Sequence, residues 1–251
     1  MPPYTLPEGD RIHVGTFVKT TAPQVIEILA AAGLDFAVLD AEHAPWDRGT
    51  LDIALLAGRA AGLPLFVRVL DRLPGTLLSA LDMGACGLLV PHVDSAEQAR
   101  EVVANARFVG GSRGYSSSPR SAGYGALGMK EALRRGDQAV VICQIESLQA
   151  VDHAAAIAAV PGVAGLFIGR ADLALSMGLD TPQHASVDMA TERVMQAARS
   201  AGKFIGIAVG SSSERDKYVK RGARWVVQSS DQGLLRQAAL AIAVSPPSGP
   251  N

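Results

Sequence analysis

The segment Phe36-Ala-Val-Leu-Asp-Ala-Glu-His43 is an apolar run that ends in Asp40, Glu42 and His43, and three ionisable side chains at one strand end call for a chemical reason. Carboxylates beside an imidazole suit proton transfer, because histidine titrates near neutral pH and becomes an effective base once another group orients it. His13, His92, His153 and His184 lack such neighbours and are read as structural. Three more apolar runs close on polar groups. Pro64-Leu-Phe-Val-Arg68 ends in a guanidinium that must face an anion inside an apolar mouth, either a developing oxyanion or an acidic neighbour. The run at 139–146 ends in Gln144 and Glu146, and the run at 163–169 leads through Arg170 and Ala171 to Asp172. Glu146 and Asp172 form a candidate metal pair, since hard divalent cations take oxygen ligands; the alternative is that each caps the helical turn that follows it. The backbone N–H groups of Ala171 and Asp172, at a helix start, are donors suited to a substrate carboxylate.

These groups converge only if the runs are parallel strands with one common end. Short Val, Ile, Leu and Phe runs at 13–18, 36–40, 65–68, 87–91, 139–146, 163–169, 204–209 and 225–229 read as strands. Ala-rich amphipathic segments at 23–32, 48–61, 75–83, 95–106, 147–159, 188–201, 213–221 and 232–243 read as helices, several closed by a glycine. Eight strand–helix units in this length predict a single α/β domain over 1–251, a (β/α)8 TIM barrel whose active site lies at the strands' C-terminal ends. An open dinucleotide-binding sheet would need a Gly-rich turn after the first strand, and Val18-Lys-Thr-Thr-Ala-Pro23 has none. Residues 1–10 and 245–251 read as flexible tails. The polar, glycine-rich stretch 110–125 reads as a lid or specificity loop, with a plain linker as the alternative.

Composition narrows the partners. The 251 residues carry 23 basic and 24 acidic side chains, so there is no electrostatic footprint for nucleic acid or an anionic membrane. Cys86 and Cys143 lack the spacing of a metal or redox pair, and no secretory signal or membrane-length apolar run is evident. The expectation is a soluble cytoplasmic protein acting on a small molecule.

At these residues the chain resembles the HpcH/HpaI family of class II, metal-dependent pyruvate aldolases, from about Gly15 to Ala243. Asp40-Ala-Glu-His43 is similar to its D-x-E-H segment, Val67-Arg68 to its strand-three arginine, and Leu88-Leu-Val-Pro91 to its L-x-V-P strand. Gln144-Ile-Glu146 matches its Q-I-E, and the stretch from Phe167 to Gly178 resembles F-I-G-P-A-D-L-S-x-S-M-G. The resemblance implies a hexamer of barrels with the C-terminal helix exchanged between subunits. It implies reversible aldol cleavage of 4-hydroxy-2-oxo acids to pyruvate, or a relative such as hydroxypyruvate, and an aldehyde. Glu146 and Asp172 would hold Mg²⁺, Mn²⁺ or Co²⁺, and His43, oriented by Asp82, would move the proton. Arg68 would stabilise the enolate oxygen and Gln144 would help place the 2-oxo acid, whose carboxylate would lie on the Ala171 and Asp172 amides. Asp40 and Glu42 would support them from outside.

The chain departs from the pattern at Arg170, where the family has proline, in the 108–115 stretch, and at Ser229-Ser-Asp231, usually G-S-D. Arg113, Tyr115, Arg120 and Val209 are the residues expected to shape the aldehyde pocket. Three rivals remain open: a Schiff-base aldolase using Lys19, a lyase for an acyl-CoA or phosphorylated substrate bound at Gly210-Ser-Ser-Ser213, and a non-catalytic ligand-binding barrel.

Overall fold

The structure is a computed structural model and describes residues 4–243. In chain order the elements are β1 (His13–Val18), α1 (Gln24–Ala31), β2 (Phe36–Asp40), α2 (Arg48–Ala61), β3 (Leu65–Arg68), α3 (Pro74–Asp82), β4 (Gly87–Val90), α4 (Ala96–Ala106), α5 (Met129–Gly136), β5 (Val140–Ile145), α6 (Leu148–Ala158), β6 (Val163–Ile168), α7 (Arg170–Ser176), α8 (Ala185–Ser200), β7 (Phe204–Val209), α9 (Ser212–Lys220), β8 (Trp225–Ser230) and α10 (Asp231–Ile242). The eight strands are all parallel and close into a barrel in sequence order, β8 pairing with β1. This is the expected TIM barrel.

Strand alternation separates two apolar clusters. Ala37, Leu39, Val67, Val90 and Ile168 face outward against the helices. Phe36, Val38, Phe66, Ile142, Phe167, Trp225 and Val227 fill the barrel itself, with Trp225 stacked on Phe36 at 4.1 Å between ring centroids. Gly15 makes room for this layer: a Cβ there would come within 2.6 Å of the Phe36 ring. Continuing each inward series by two residues reaches Asp40 after Val38, Arg68 after Phe66, Gln144 and Glu146 after Ile142, and Gly169 after Phe167. The apolar floor therefore fixes which face the polar residues occupy.

Several expectations are corrected. The flexible tail expected at 1–10 is too wide, because the Tyr4 hydroxyl bonds the His13 ring and accepts from Trp225 Nε1 at 3.2 Å, plugging the barrel's N-terminal end. The expected tail at 245–251 lies outside the described residues. The connection from α4 to β5, expected as a lid, contains a 3-10 helix (Arg120–Gly125) and α5. It lies at the N-terminal face, because a helix running antiparallel to the strands ends where the next strand begins. There a cavity of about 630 Å³ is lined by Tyr4, Arg113, Arg120 and the residues leading into β3, β4 and β5. The short α7 has no counterpart among the expected helices; seven residues carry too little periodicity to announce one.

At the end of β8 the chain strains locally. Ser229 has φ of 63°, the left-handed region, and the next turn begins α10, whose Asp231 carboxylate accepts from the backbone of Lys19 and Thr20 at 2.9 and 3.0 Å. The glycine usual at this position in the G-S-D segment would adopt that φ freely. Ser229→Gly is expected to raise stability by about 0.5–1 kcal/mol, the relief of left-handed strain less the added freedom of the unfolded chain. A urea midpoint that rises at unchanged slope would bear this out; a fall would mean that the serine is favoured there.

Candidate functional site

Asp40 and Arg68 are neighbours in register at the ends of β2 and β3. Arg68 donates from Nε and Nη2 to the two Asp40 oxygens at 2.9 and 2.8 Å, a bidentate fork, and its guanidinium lies 4.5 Å over the Phe17 ring. Lys19 Nζ is 3.1 Å from Asp40 Oδ2, and the His43 backbone N–H donates to Oδ1 at 3.2 Å. Burial works against ionisation of the fully buried Asp40, yet Arg68 and Lys19 outweigh it and hold the carboxyl below its ordinary range. Arg68 Nη1 makes no hydrogen bond among the described residues, which leaves one donor edge for a ligand.

Beside this pair sits a second group. Glu42, His92 and Glu146 each present a donor atom, all within 4.8 Å of one another. His92 donates its backbone N–H to Glu146 Oε1 at 2.7 Å, while its ring places Nδ1 3.1 Å from that oxygen and Nε2 3.2 Å from Glu42 Oε1. Gln144 donates its amide to Glu146 Oε2. Burial dominates at Glu146 and holds its carboxyl above the ordinary range despite those donors. Gly169 lets Glu146 fold so close: a Cβ there would meet Glu146 Cβ and Oε2 at 3.0 Å.

Two buried acceptors remain unsatisfied. Glu42 Oε2 lies 3.3 Å from Arg68 Nε, whose hydrogen is directed to Asp40, and it has no hydrogen bond; nor does Gln144 Oε1. Buried oxygens without donors are costly, and a cation or a donor on a ligand would satisfy them. Capping does not account for the carboxylates. Ser147 caps α6 by accepting from Ala150 N–H at 3.0 Å, and Asp172 makes no cap bond and has no hydrogen-bond or ion-pair partner among the described residues. The donor set of carboxylates and one imidazole fits a divalent cation.

His92, read from the sequence as structural, is brought into the mouth between Glu42 and Glu146. The signal was available: it lies just past β4, as Glu146 lies just past β5. Lys19 enters the sequence reading only as a Schiff-base nucleophile, which must be a free amine; here its ammonium is paired with Asp40.

Other expected residues lie elsewhere. Asp82 ends α3 at the N-terminal face and accepts from Arg113 Nη2 at 2.8 Å, so within one chain it cannot orient His43, whose ring has Glu42 at 3.7 Å as its charged neighbour. Arg113 is buried and paired with the half-buried Asp82, and Arg120 donates to Met83 O at 2.7 Å and to Asp52 Oδ2 at 2.9 Å. Tyr115 packs edge-on against Phe108. Of the four residues expected at the aldehyde pocket, only Val209, closing β7, stands at the mouth in its own chain. Arg170 does not add charge to the carboxylate site, because it turns away to Glu214 at 3.0 Å, Pro182 O at 2.9 Å and the Tyr218 ring. The proposed phosphate cradle after β7 is filled from within: Glu214 Oε2 accepts from Gly210 N–H at 2.8 Å. A phosphate would have to displace that carboxylate.

Among the described residues no helix is long and apolar enough to cross a membrane. Comparison with known proteins matches residues 13–238 to the HpcH/HpaI aldolase/citrate lyase family. A 5-keto-4-deoxy-D-glucarate aldolase from Klebsiella pneumoniae is 36% identical, covering 93% of this chain and 91% of its own. A crystal structure of an HpcH/HpaI aldolase/citrate lyase family protein from Burkholderia cenocepacia superposes with a TM-score of 0.88 at 35% identity, over 92% of this chain and 93% of the other. An HpcH/HpaI aldolase from Desulfitobacterium hafniense superposes with a TM-score of 0.87 at 28% identity, over 96% of each chain. With the ionisable cluster at the C-terminal mouth of a (β/α)8 barrel and a match across the whole domain, the chain belongs to the HpcH/HpaI aldolase/citrate lyase family and is a carbon–carbon lyase of its aldolase kind.

Proposed function

We propose that this enzyme cleaves 4-hydroxy-2-oxo acids reversibly to pyruvate, or a relative such as hydroxypyruvate, and an aldehyde. The observation that carries the reading is Arg68, locked by Asp40 with one edge free, beside the buried Glu146 carboxylate and its unsatisfied neighbours. Glu146, with Asp172 across the same mouth, would hold a Mg²⁺, Mn²⁺ or Co²⁺ ion, which when bound supplies Lewis acidity toward the keto group. The Ala171 and Asp172 N–H groups would receive the substrate carboxylate, and Gln144, held against Glu146, would orient the keto end.

Cleavage requires a base to take the proton of the 4-hydroxyl while the C3–C4 bond breaks. The bonding electron pair enters the 2-oxo acid fragment as an enolate, the aldehyde departs, and a proton then returns to C3. His43 would move both protons, and the free edge of Arg68 would face the enolate oxygen as charge develops there. Orientation of His43 by Asp82 would need a second copy of the chain, which agrees with a homo-oligomer, hexameric by family resemblance. Leu235 and Ile242 on α10 are 72% and 84% exposed, an apolar face suited to a neighbouring barrel. A monomeric mass in solution would exclude that arrangement.

The relative's name makes a 4-deoxy-5-keto sugar diacid the first substrate to offer. Pyruvate-type product release is expected with divalent metal present, lost in chelator and restored by Mg²⁺ or Mn²⁺. Borohydride with pyruvate should leave the protein mass unchanged. A trapped adduct at Lys19, or full activity in excess chelator, would overturn the reading.

A further inference from the structure

We infer that Lys19 is a specificity-determining residue, the group that binds a carboxylate carried by the aldehyde fragment of the substrate. The inference rests on the proposed aldol reading and deepens it by assigning the far end of the substrate to one side chain. In that reading the 2-oxo acid end occupies the β3, β5 and β6 side of the mouth, between the free edge of Arg68, the Glu146 carboxylate and the N–H groups of Ala171 and Asp172. The aldehyde end must then extend over β1, β7 and β8. Room is present there. Phe17 and Ala208, facing inward on β1 and β7, are only partly buried, whereas Val38 and Phe66, level with Phe17 on β2 and β3, are fully buried.

The cations around the mouth narrow to one. Arg68 is committed to Asp40 and the enolate, His92 lies between Glu42 and Glu146, and Arg170 turns away to Glu214. Arg215 donates to Asp216 and to Gln228, which alternation with the inward Val227 places on the outer face of β8. Lys19 follows Phe17 by two positions and shares its inward face. Its backbone N–H is held by the Asp231 carboxylate at 2.9 Å and its ammonium by one Asp40 oxygen at 3.1 Å, so the side chain is aimed before substrate arrives. That oxygen is the ammonium's one partner among the described residues, and the side chain is 27% exposed, which leaves two N–H donors for a ligand. Asp40, for its part, already receives the two-point fork of Arg68. A carboxylate fits this place better than a phosphate, because the cradle that would share a phosphate after β7 is filled by Glu214.

The test measures aldol addition of pyruvate, with divalent metal present, to succinic semialdehyde and to butanal, which share a carbon chain and differ by the carboxylate. Wild type should favour succinic semialdehyde in kcat/KM. Lys19→Met should lower kcat/KM for it by about 10–100-fold, the range for a lost charge-assisted hydrogen bond, and for butanal by no more than about threefold. The loss should appear in KM with kcat kept, because a remote carboxylate is bound equally in the ground and transition states. Lys19→Arg should retain the preference for the charged aldehyde, and added salt should shrink that preference in wild type. Equal losses for both aldehydes would overturn the inference and leave Lys19 as a counter-ion that acts through Asp40 on Arg68. A preference that survives in Lys19→Met would overturn it as well and move carboxylate recognition to a second copy of the chain. Failure of the underlying reading looks different: wild type then joins pyruvate to neither aldehyde, and the assignment of Lys19 falls with it.

Discussion

Arg68→Ala is expected to lower kcat for aldol cleavage by about 10²–10³-fold, the usual cost of removing one fixed donor from a developing oxyanion. Its two donors to Asp40 fix the guanidinium plane, so the remaining edge is aimed before substrate arrives and no reorganisation is needed as charge moves. Because the interaction strengthens only as the enolate forms, kcat and kcat/KM should fall together. An Arg68→Lys variant retains the charge, yet an ammonium cannot make a two-point fork and present a third donor, so it should recover little of the rate. The alanine variant leaves Asp40 with the Lys19 ammonium 3.1 Å away, which limits the damage to the fold, and near-ultraviolet circular dichroism will show whether the barrel is intact. A raised KM with unchanged kcat would reduce Arg68 to ground-state binding and remove it from the enolate step.

The barrel was legible in the sequence because each level of the pattern agreed: apolar runs of strand length, helices with start and stop residues, and a polar residue at the end of each functional strand. All eight strands lie within one residue of their expected bounds. The Asp40, Arg68, Gln144 and Glu146 group was legible for the same reason, since alternation along a strand dictates which face a residue two positions further on must share. What sequence position could not convey was the direction of long side chains. Arg170 precedes two proposed carboxylate donors in sequence but directs its charge to Glu214, a residue 44 positions away. His92 looked solitary because its partners, Glu42 and Glu146, arrive from other strands. The 107–139 connection misled through composition: glycine, arginine and tyrosine suggest a lid wherever they occur, whereas the rule that a helix returns to the strands' N-terminal ends decides the face. That rule was available from the element order alone, and it would have removed Arg113 and Arg120 from the mouth of their own chain.

Asp40→Asn should cost about 2–4 kcal/mol of stability, the penalty for removing the bidentate counter-ion of a buried guanidinium, which keeps only Glu42 Oε2 at 3.3 Å from its Nε. Against the total of about 5–15 kcal/mol that holds most domains together, this is a large fraction, so the variant will sit near its unfolding threshold. Asp40 is fully buried, and its carboxylate answers Arg68, Lys19 and the His43 N–H at once; an amide can replace one acceptor but not the charge. The pH dependence identifies the cause. Since the folded-state pKa of Asp40 is lowered from 3.8, its ionic stabilisation is fully present above that value and is lost as pH falls through the lowered one. Urea unfolding of wild type and variant should therefore differ by a constant amount above pH 3.8 and converge below it. A gap that does not narrow in acid would assign the loss to packing instead. The double variant Asp40→Leu/Arg68→Met completes the argument: apolar replacement of both members of a buried ion pair is often neutral or stabilising. If the double variant folds as well as wild type and has lost aldol cleavage, the pair is held in the barrel mouth for chemistry and the fold carries it at its own expense.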